Sequence, residues 1–149
     1  MNKADQIAQV ARVFVIGAKR CEEQRQLPNG KIEAPLPVAV VCLAFSVELF
    51  LKAILTMQSN HYGKEHNLKI LFDKIDRAER DRVIGNTGMK SDVFLPKLEK
   101  AAGAFVDWRY LYEQGPMCLD YDFLSRLQVA LEGLLTQIMG MDGQKNDKS

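Results

Sequence analysis

Phe45–Leu55, FSVELFLKAIL, decides how the rest of the chain is read. It is apolar on nearly every face, and the same character runs back to Leu36 and on to Met57. A helix that is hydrophobic all round belongs at the centre of a helical domain, not on its outside. Yet Glu48 and Lys52 sit in the middle of it. A lone buried carboxylate costs several kcal/mol, so Glu48 needs a partner, and Lys52 stands at the favourable four-residue spacing.

Outward from this segment the chain reads as helices joined by short connectors. Ile7, Val10, Ala11, Phe14, Ala18 and Cys21 recur at steps of three and four, which predicts an amphipathic helix over about Lys3–Arg25 with that stripe on the core. LPNGKIEAPLP, with an Asn-Gly turn signal and three prolines, delivers the chain into the central helix near Leu36. Asn67 is a cap for a third, shorter helix carrying Leu68, Leu71, Phe72 and Ile75, followed by the solvated DRAERDR and ending before GNTG. Phe94, Leu98, Ala101, Phe105, Trp108 and Tyr112 form the seam of a fourth helix, which begins near Asp92–Leu95 because Pro96 is tolerable only in a first turn. Asp120 caps the last helix, with Leu124, Leu127, Leu131, Leu134 and Ile138 on one face. No strand-like alternation of any length appears. The expected fold is all-α: an up-and-down antiparallel bundle of four long helices plus one shorter helix, with residues 1–142 as one domain and 143–149 as a polar tail.

Composition narrows the function classes. A formal net charge of +1 writes no global attraction to nucleic acid or an anionic membrane into the chain, so any anion-binding surface must be local. Cys21, Cys42 and Cys118 are an odd set without paired spacing, which fits a reducing, cytoplasmic compartment. The first twenty residues do not read as a signal peptide, and the longest unbroken apolar run, Val38–Phe45, is far short of the roughly 20 residues of a membrane span. No Glu-x-x-His pair, Cys-x-x-Cys, Gly-rich phosphate loop or Ser-centred elbow occurs, so neither a metal nor a cofactor is expected. His61 and His66 fall in one loop; His66, just ahead of the Asn67 cap, reads as a turn residue.

AFVDWRYLYEQG places Asp107, Arg109 and Glu113 among Trp108, Tyr110 and Tyr112. Arg109 and Glu113 can be a solvated pair at a helix end, or Arg109 can face the central helix. Together with AFSVELFLKAIL and HNLKILFDKI, in that order, FVDWRYLYE resembles the HEPN superfamily, small all-helical domains associated with RNA cleavage and nucleotide binding. The resemblance spans roughly residues 34–138. In its ribonuclease members an arginine is followed after four to six residues by a histidine, and a dimer brings two copies around an RNA backbone. Arg109 stands at the arginine's place, but Gln114, Gly115 and Pro116 occupy those of the histidine. The resemblance therefore implies a degenerate site that binds RNA, a nucleotide or a partner protein such as an antitoxin in a toxin–antitoxin or phage-defence system. Arg109, Glu48, Lys52, Tyr110, Tyr112 and Glu113 are the ligand-binding candidates, with Arg109 also the partner of Glu48 and the sole catalytic candidate. The alternatives are a metal-independent ribonuclease using Arg109 with a nearby Tyr or Glu, and a pure dimerisation scaffold. A homodimer is expected, with Trp108 or its neighbours near the two-fold axis, and no membrane partner.

Overall fold

A computed structural model describes residues 1–109 and 119–146 of the chain, and for 109 and 141–146 the backbone alone. The fold is all-α. Its elements are α1 (Lys3–Cys21), a two-residue hairpin of β1 (Arg25–Gln26) and β2 (Ile32–Glu33), α2 (Leu36–Met57), α3 (Leu68–Asp73), α4 (Arg77–Thr87), α5 (Ser91–Ala101), α6 (Ala104–Arg109) and α7 (Tyr121–Asn146). Among the described residues, three long helices and four short ones stand where four long and one short are expected.

α2 is the centre. Leu43, Val47, Phe50, Leu51, Ile54 and Leu55 are all buried, and α1, α3, α6 and α7 pack around it. At 22 residues, α2 is long and apolar enough to cross a membrane, which counting only its longest unbroken run overlooks; two-thirds of its most apolar window is buried by the other helices. On the far side of the core Phe94 of α5 meets Phe72 of α3 and Phe123 of α7, with ring centroids 5.3 and 5.4 Å apart.

Of the stripe predicted for α1, Ala11 and Ala18 are buried and Ile7 packs against the core, but the helix is turned toward its alanines. Ala4, Ala8, Ala11, Val15 and Ala18 are buried against α2, whereas Val10 is 47% exposed. Small side chains let two helix backbones approach closely and gain dispersion contact along their length, and that outweighs the burial of a few larger residues. The Asn2 side chain accepts from Asp5 N–H at 2.8 Å and the Asp5 carboxylate accepts from Asn2 N–H, a reciprocal cap.

The predicted third and fourth helices are each broken. Between α3 and α4 the chain turns at Lys74–Asp76, and side chains from the α2–α3 loop satisfy the freed groups: Asn60 Nδ2 donates to the Lys74 carbonyl at 3.0 Å, and Gln58 Oε1 accepts from Asp76 N–H at 3.2 Å. Between α5 and α6 the Ala102 carbonyl accepts from Leu68 N–H at 2.9 Å, so the start of α3 is fastened to that break. Pro96 lies inside α5, on its exposed side, where the carbonyl it leaves unpaired can reach water. The Asn67 and Asp120 caps form as expected, accepting from Ile70 N–H at 3.1 Å and Phe123 N–H at 2.9 Å. Lys97 pairs with Asp120 and holds its carboxyl below the usual range. α7 continues to Asn146, past the boundary expected at 142; single glycines slow a helix without stopping it. The hairpin, absent from the sequence reading, closes around Asn29-Gly30, with Gly30 at φ 81°.

Two glycines of the α4 end are expected to respond oppositely to alanine. Gly88 ends the helix at φ 75°, so Gly88→Ala forces a β-carbon into the left-handed region and destabilises by about 1 kcal/mol. Gly85 is an exposed helix-interior position where an added β-carbon meets no atom within 4 Å. Gly85→Ala therefore stabilises by up to about 1 kcal/mol. Urea unfolding of the two variants tests both signs.

Candidate functional site

The helical register of α2 turns Glu48 inward, and its side chain is only 1% exposed. Lys52, one turn on and 13% exposed, donates from Nζ to Glu48 Oε1 at 2.7 Å. The same oxygen lies 2.8 Å from His66 Nδ1, so a carboxylate acceptor places the proton on Nδ1. Glu48 Oε2 is buried and, among the described residues, makes no hydrogen bond. One buried carboxylate thus holds two nitrogen donors on a single oxygen.

His66 is brought there by its backbone. Glu65 Oε1 accepts from the N–H groups of His66 at 3.0 Å and Asn67 at 2.8 Å, and these bonds, that of Asn67 first, hold the Glu65 carboxyl below its ordinary range. With Leu68 N–H fastened to the α5–α6 break, the loop is pinned at both α3 and α6 just where it passes Glu48. The imidazole is half exposed, so Nε2, on the ring edge away from Glu48, is the atom a ligand can reach. With Nδ1–H fixed on the carboxylate, the ring of this half-exposed histidine is held in one orientation.

Aromatic rings flank the cluster. Phe105 of α6 stacks on Phe45 of α2 at 4.6 Å and 19°, Phe14 meets Phe45 edge-on at 4.6 Å, and the His66 ring lies 6.4 Å from Phe105. Lys52 Nζ sits 5.6 Å from the centre of the Tyr62 ring, a cation–π distance. Thr56 Oγ1 donates to the Lys52 carbonyl at 2.8 Å and lies 3.4 Å from the Tyr62 hydroxyl. Beyond Tyr62 an open pocket of about 370 Å³ is lined by Thr56, Ser59, Asn60, His61 and Gly63, with Lys3 of α1 at its rim.

The structure brings together two of the six sequence candidates, Glu48 and Lys52. It adds His66, which the sequence reading left as a turn residue. The Glu48–Lys52 pair expected from the four-residue spacing forms, with its carboxylate buried. Arg109 is the last residue of α6, one turn beyond Phe105; its side chain, and with it the expected Glu48–Arg109 pairing, lies outside the described residues, as do Tyr110, Tyr112 and Glu113. Among the described residues no group of three or more His, Cys, Asp or Glu could hold a metal ion. Comparison with protein-family models, with curated proteins and with solved structures finds no match.

Proposed function

We propose that this chain is a HEPN-like, cytoplasmic binding module that takes RNA or a nucleotide at the face where α2, the α3 entry and α6 meet. The observation that carries the reading is the buried Glu48 carboxylate holding Lys52 and His66 beside the Phe45–Phe105 stack. A cationic amine and an imidazole next to aromatic surface suit a ligand with a phosphate at one end and a base at the other. Arg109, at the end of α6, is the phosphate contact in this reading, with Tyr110, Tyr112 and Glu113 following it. A protein partner, such as an antitoxin in a toxin–antitoxin or phage-defence system, is the cellular setting the resemblance supplies.

One observation favours a second reading, the metal-independent ribonuclease. The chemical objection drawn from the sequence was the lack of an imidazole near Arg109, and His66, beside Phe105 one turn earlier on α6, is such a group.

Fluorescence anisotropy with single-stranded and structured RNA, at several salt concentrations and with a chelator, tests both. The expected result is binding that weakens in Arg109→Ala with a salt slope smaller by about one. Absence of binding to RNA and nucleotide alike refutes the module. Cleavage by the wild type that is lost in His66→Ala, with binding retained, selects the ribonuclease instead.

A further inference from the structure

α1 and α2 carry one cysteine each, Cys21 at the last residue of α1 and Cys42 in the second turn of α2, and both are partly buried. Two contacts fix how the helices face one another there. Phe14 meets Phe45 edge-on, and one turn further along α1 a β-carbon added at Gly17 would lie 3.7 Å from Cys42 Sγ. The helices therefore run antiparallel, and the Cys42 sulfur lies over a residue with no side chain. Cys21 follows Gly17 by four residues and shares its face of α1. Side chains on a helix lean toward its N-terminus, so on antiparallel helices Cys21 leans back over Gly17 while Cys42 leans along α1 toward Cys21. The two thiols converge on the gap that Gly17 leaves.

Their electrostatics agree with that placement. Burial, and after it the charge of the Cys21 thiolate, raises the Cys42 thiol above its ordinary range. The Tyr121 hydroxyl of α7, which donates to Glu22, is pushed up by burial, by that bond and then by both cysteines. Cys21 also lines a pocket of about 170 Å³ with Arg20, Glu23, Arg25, Glu33 and Pro35, several times the roughly 30 Å³ that one water takes up in the liquid. A molecule the size of hydrogen peroxide can reach it there.

We propose that Cys21 and Cys42 form a redox latch, in which a hydroperoxide oxidises Cys21 and Cys42 then closes a disulfide between the end of α1 and α2. In the first step the Cys21 thiolate attacks one peroxide oxygen, the O–O bond breaks, and hydroxide leaves and takes a proton, giving a sulfenic acid and one water. In the second, Cys42 gives up its proton and its sulfur displaces hydroxide from the Cys21 sulfur, so that an S–S bond forms, the S–O bond breaks and a second water leaves. The two sulfurs together lose two electrons and the peroxide takes them. Cys21 ends its helix, where the backbone can make the adjustment that the fixed geometry of a disulfide requires. The bond closes a loop of the 20 residues between the cysteines, the hairpin among them. In a reducing compartment the pair stays as thiols until oxidant arrives, the common use of a cytosolic disulfide.

The test treats the folded full chain with a few equivalents of hydrogen peroxide, blocks the remaining thiols and maps the peptides by mass. The expected product is one intramolecular Cys21–Cys42 link, formed equally in Cys118→Ser and reversed by dithiothreitol. In Cys42→Ser oxidation is expected to stop at the Cys21 sulfenic acid, trapped with dimedone, whereas in Cys21→Ser Cys42 should give no dimedone adduct. The oxidised wild type is expected to melt about 6 °C above the reduced chain, because the loop is closed in the unfolded state as well. The proposal is overturned if the wild type forms no Cys21–Cys42 link, if Cys21 pairs with Cys118 in preference, or if the linked chain melts no higher than the reduced one. A dimedone adduct on Cys42 in Cys21→Ser would show that the oxidant does not enter at Cys21 and would overturn the stated order of steps.

Discussion

Phe94→Ala is expected to lower the free energy of unfolding by about 4 kcal/mol. The Phe94 side chain is fully buried, and its ring is the shared neighbour of Phe72 and Phe123, so it joins α3, α5 and α7 at a single point. Truncation removes the transfer free energy of the ring and leaves a cavity between three elements. Two of them, α3 and α5, are only 6 and 11 residues long and have little packing of their own to fall back on. The loss corresponds to a fall in melting temperature of about 10 °C for a chain of this size. Phe45→Ala, on a partly buried ring between Phe14 and Phe105, is expected to cost about half as much. Equal losses for the two variants in urea unfolding would show that the Phe72–Phe94–Phe123 trio is not the tighter part of the core.

Much of the fold was legible because it rests on local rules. The all-apolar α2, the Asn67 and Asp120 caps, and the stripe of α7 each follow from residues within a turn or two of one another. What was not legible is decided by contacts across the chain. The break at Lys74–Asp76 is held by Asn60 and Gln58 from another loop, and no periodicity inside the predicted third helix reveals them. The stripe expected on α1 is buried at Ala11 and Ala18 but not at Val10, because hydrophobic size alone does not choose the buried face. Close packing on α2 chose the alanines, and their spacing, at 4, 8, 11 and 18, was itself visible in the sequence.

The candidate site divides in the same way. Glu48 stood out as a charge in an apolar helix, and Lys52 was found by four-residue spacing. His66 is 18 residues further on, in a loop whose return to α2 is fixed by the Leu68–Ala102 backbone bond and not by any pattern in its own sequence. One signal pointed to it: a buried carboxylate demands donors, and the loop that follows α2 holds both histidines of the chain.

Glu48→Ala is expected to destabilise by about 3 kcal/mol, because it strips the mostly buried Lys52 ammonium of its acceptor. Tyr62 offers that ammonium only the face of a ring, and His66, half exposed, can turn to water. Lys52→Met should cost a similar amount for the converse reason: the buried carboxylate keeps His66 but loses the cation bonded to Oε1. The double variant Glu48→Gln/Lys52→Met removes both charges and keeps the volumes, so it is expected to lose about 1 kcal/mol or less, far below the sum of the single losses. Chemical unfolding of the three proteins measures that coupling. Additive losses would mean that the two side chains are not held as one buried unit. If the uncharged pair is as stable as the native one, then folding does not require Glu48 and Lys52 to be charged. The reason for keeping a carboxylate under a half-exposed imidazole would lie in what that imidazole meets. In that case RNA binding, measured on the stable double variant, should fall as the charge-assisted Glu48–His66 bond becomes a neutral one, even though the helices remain intact.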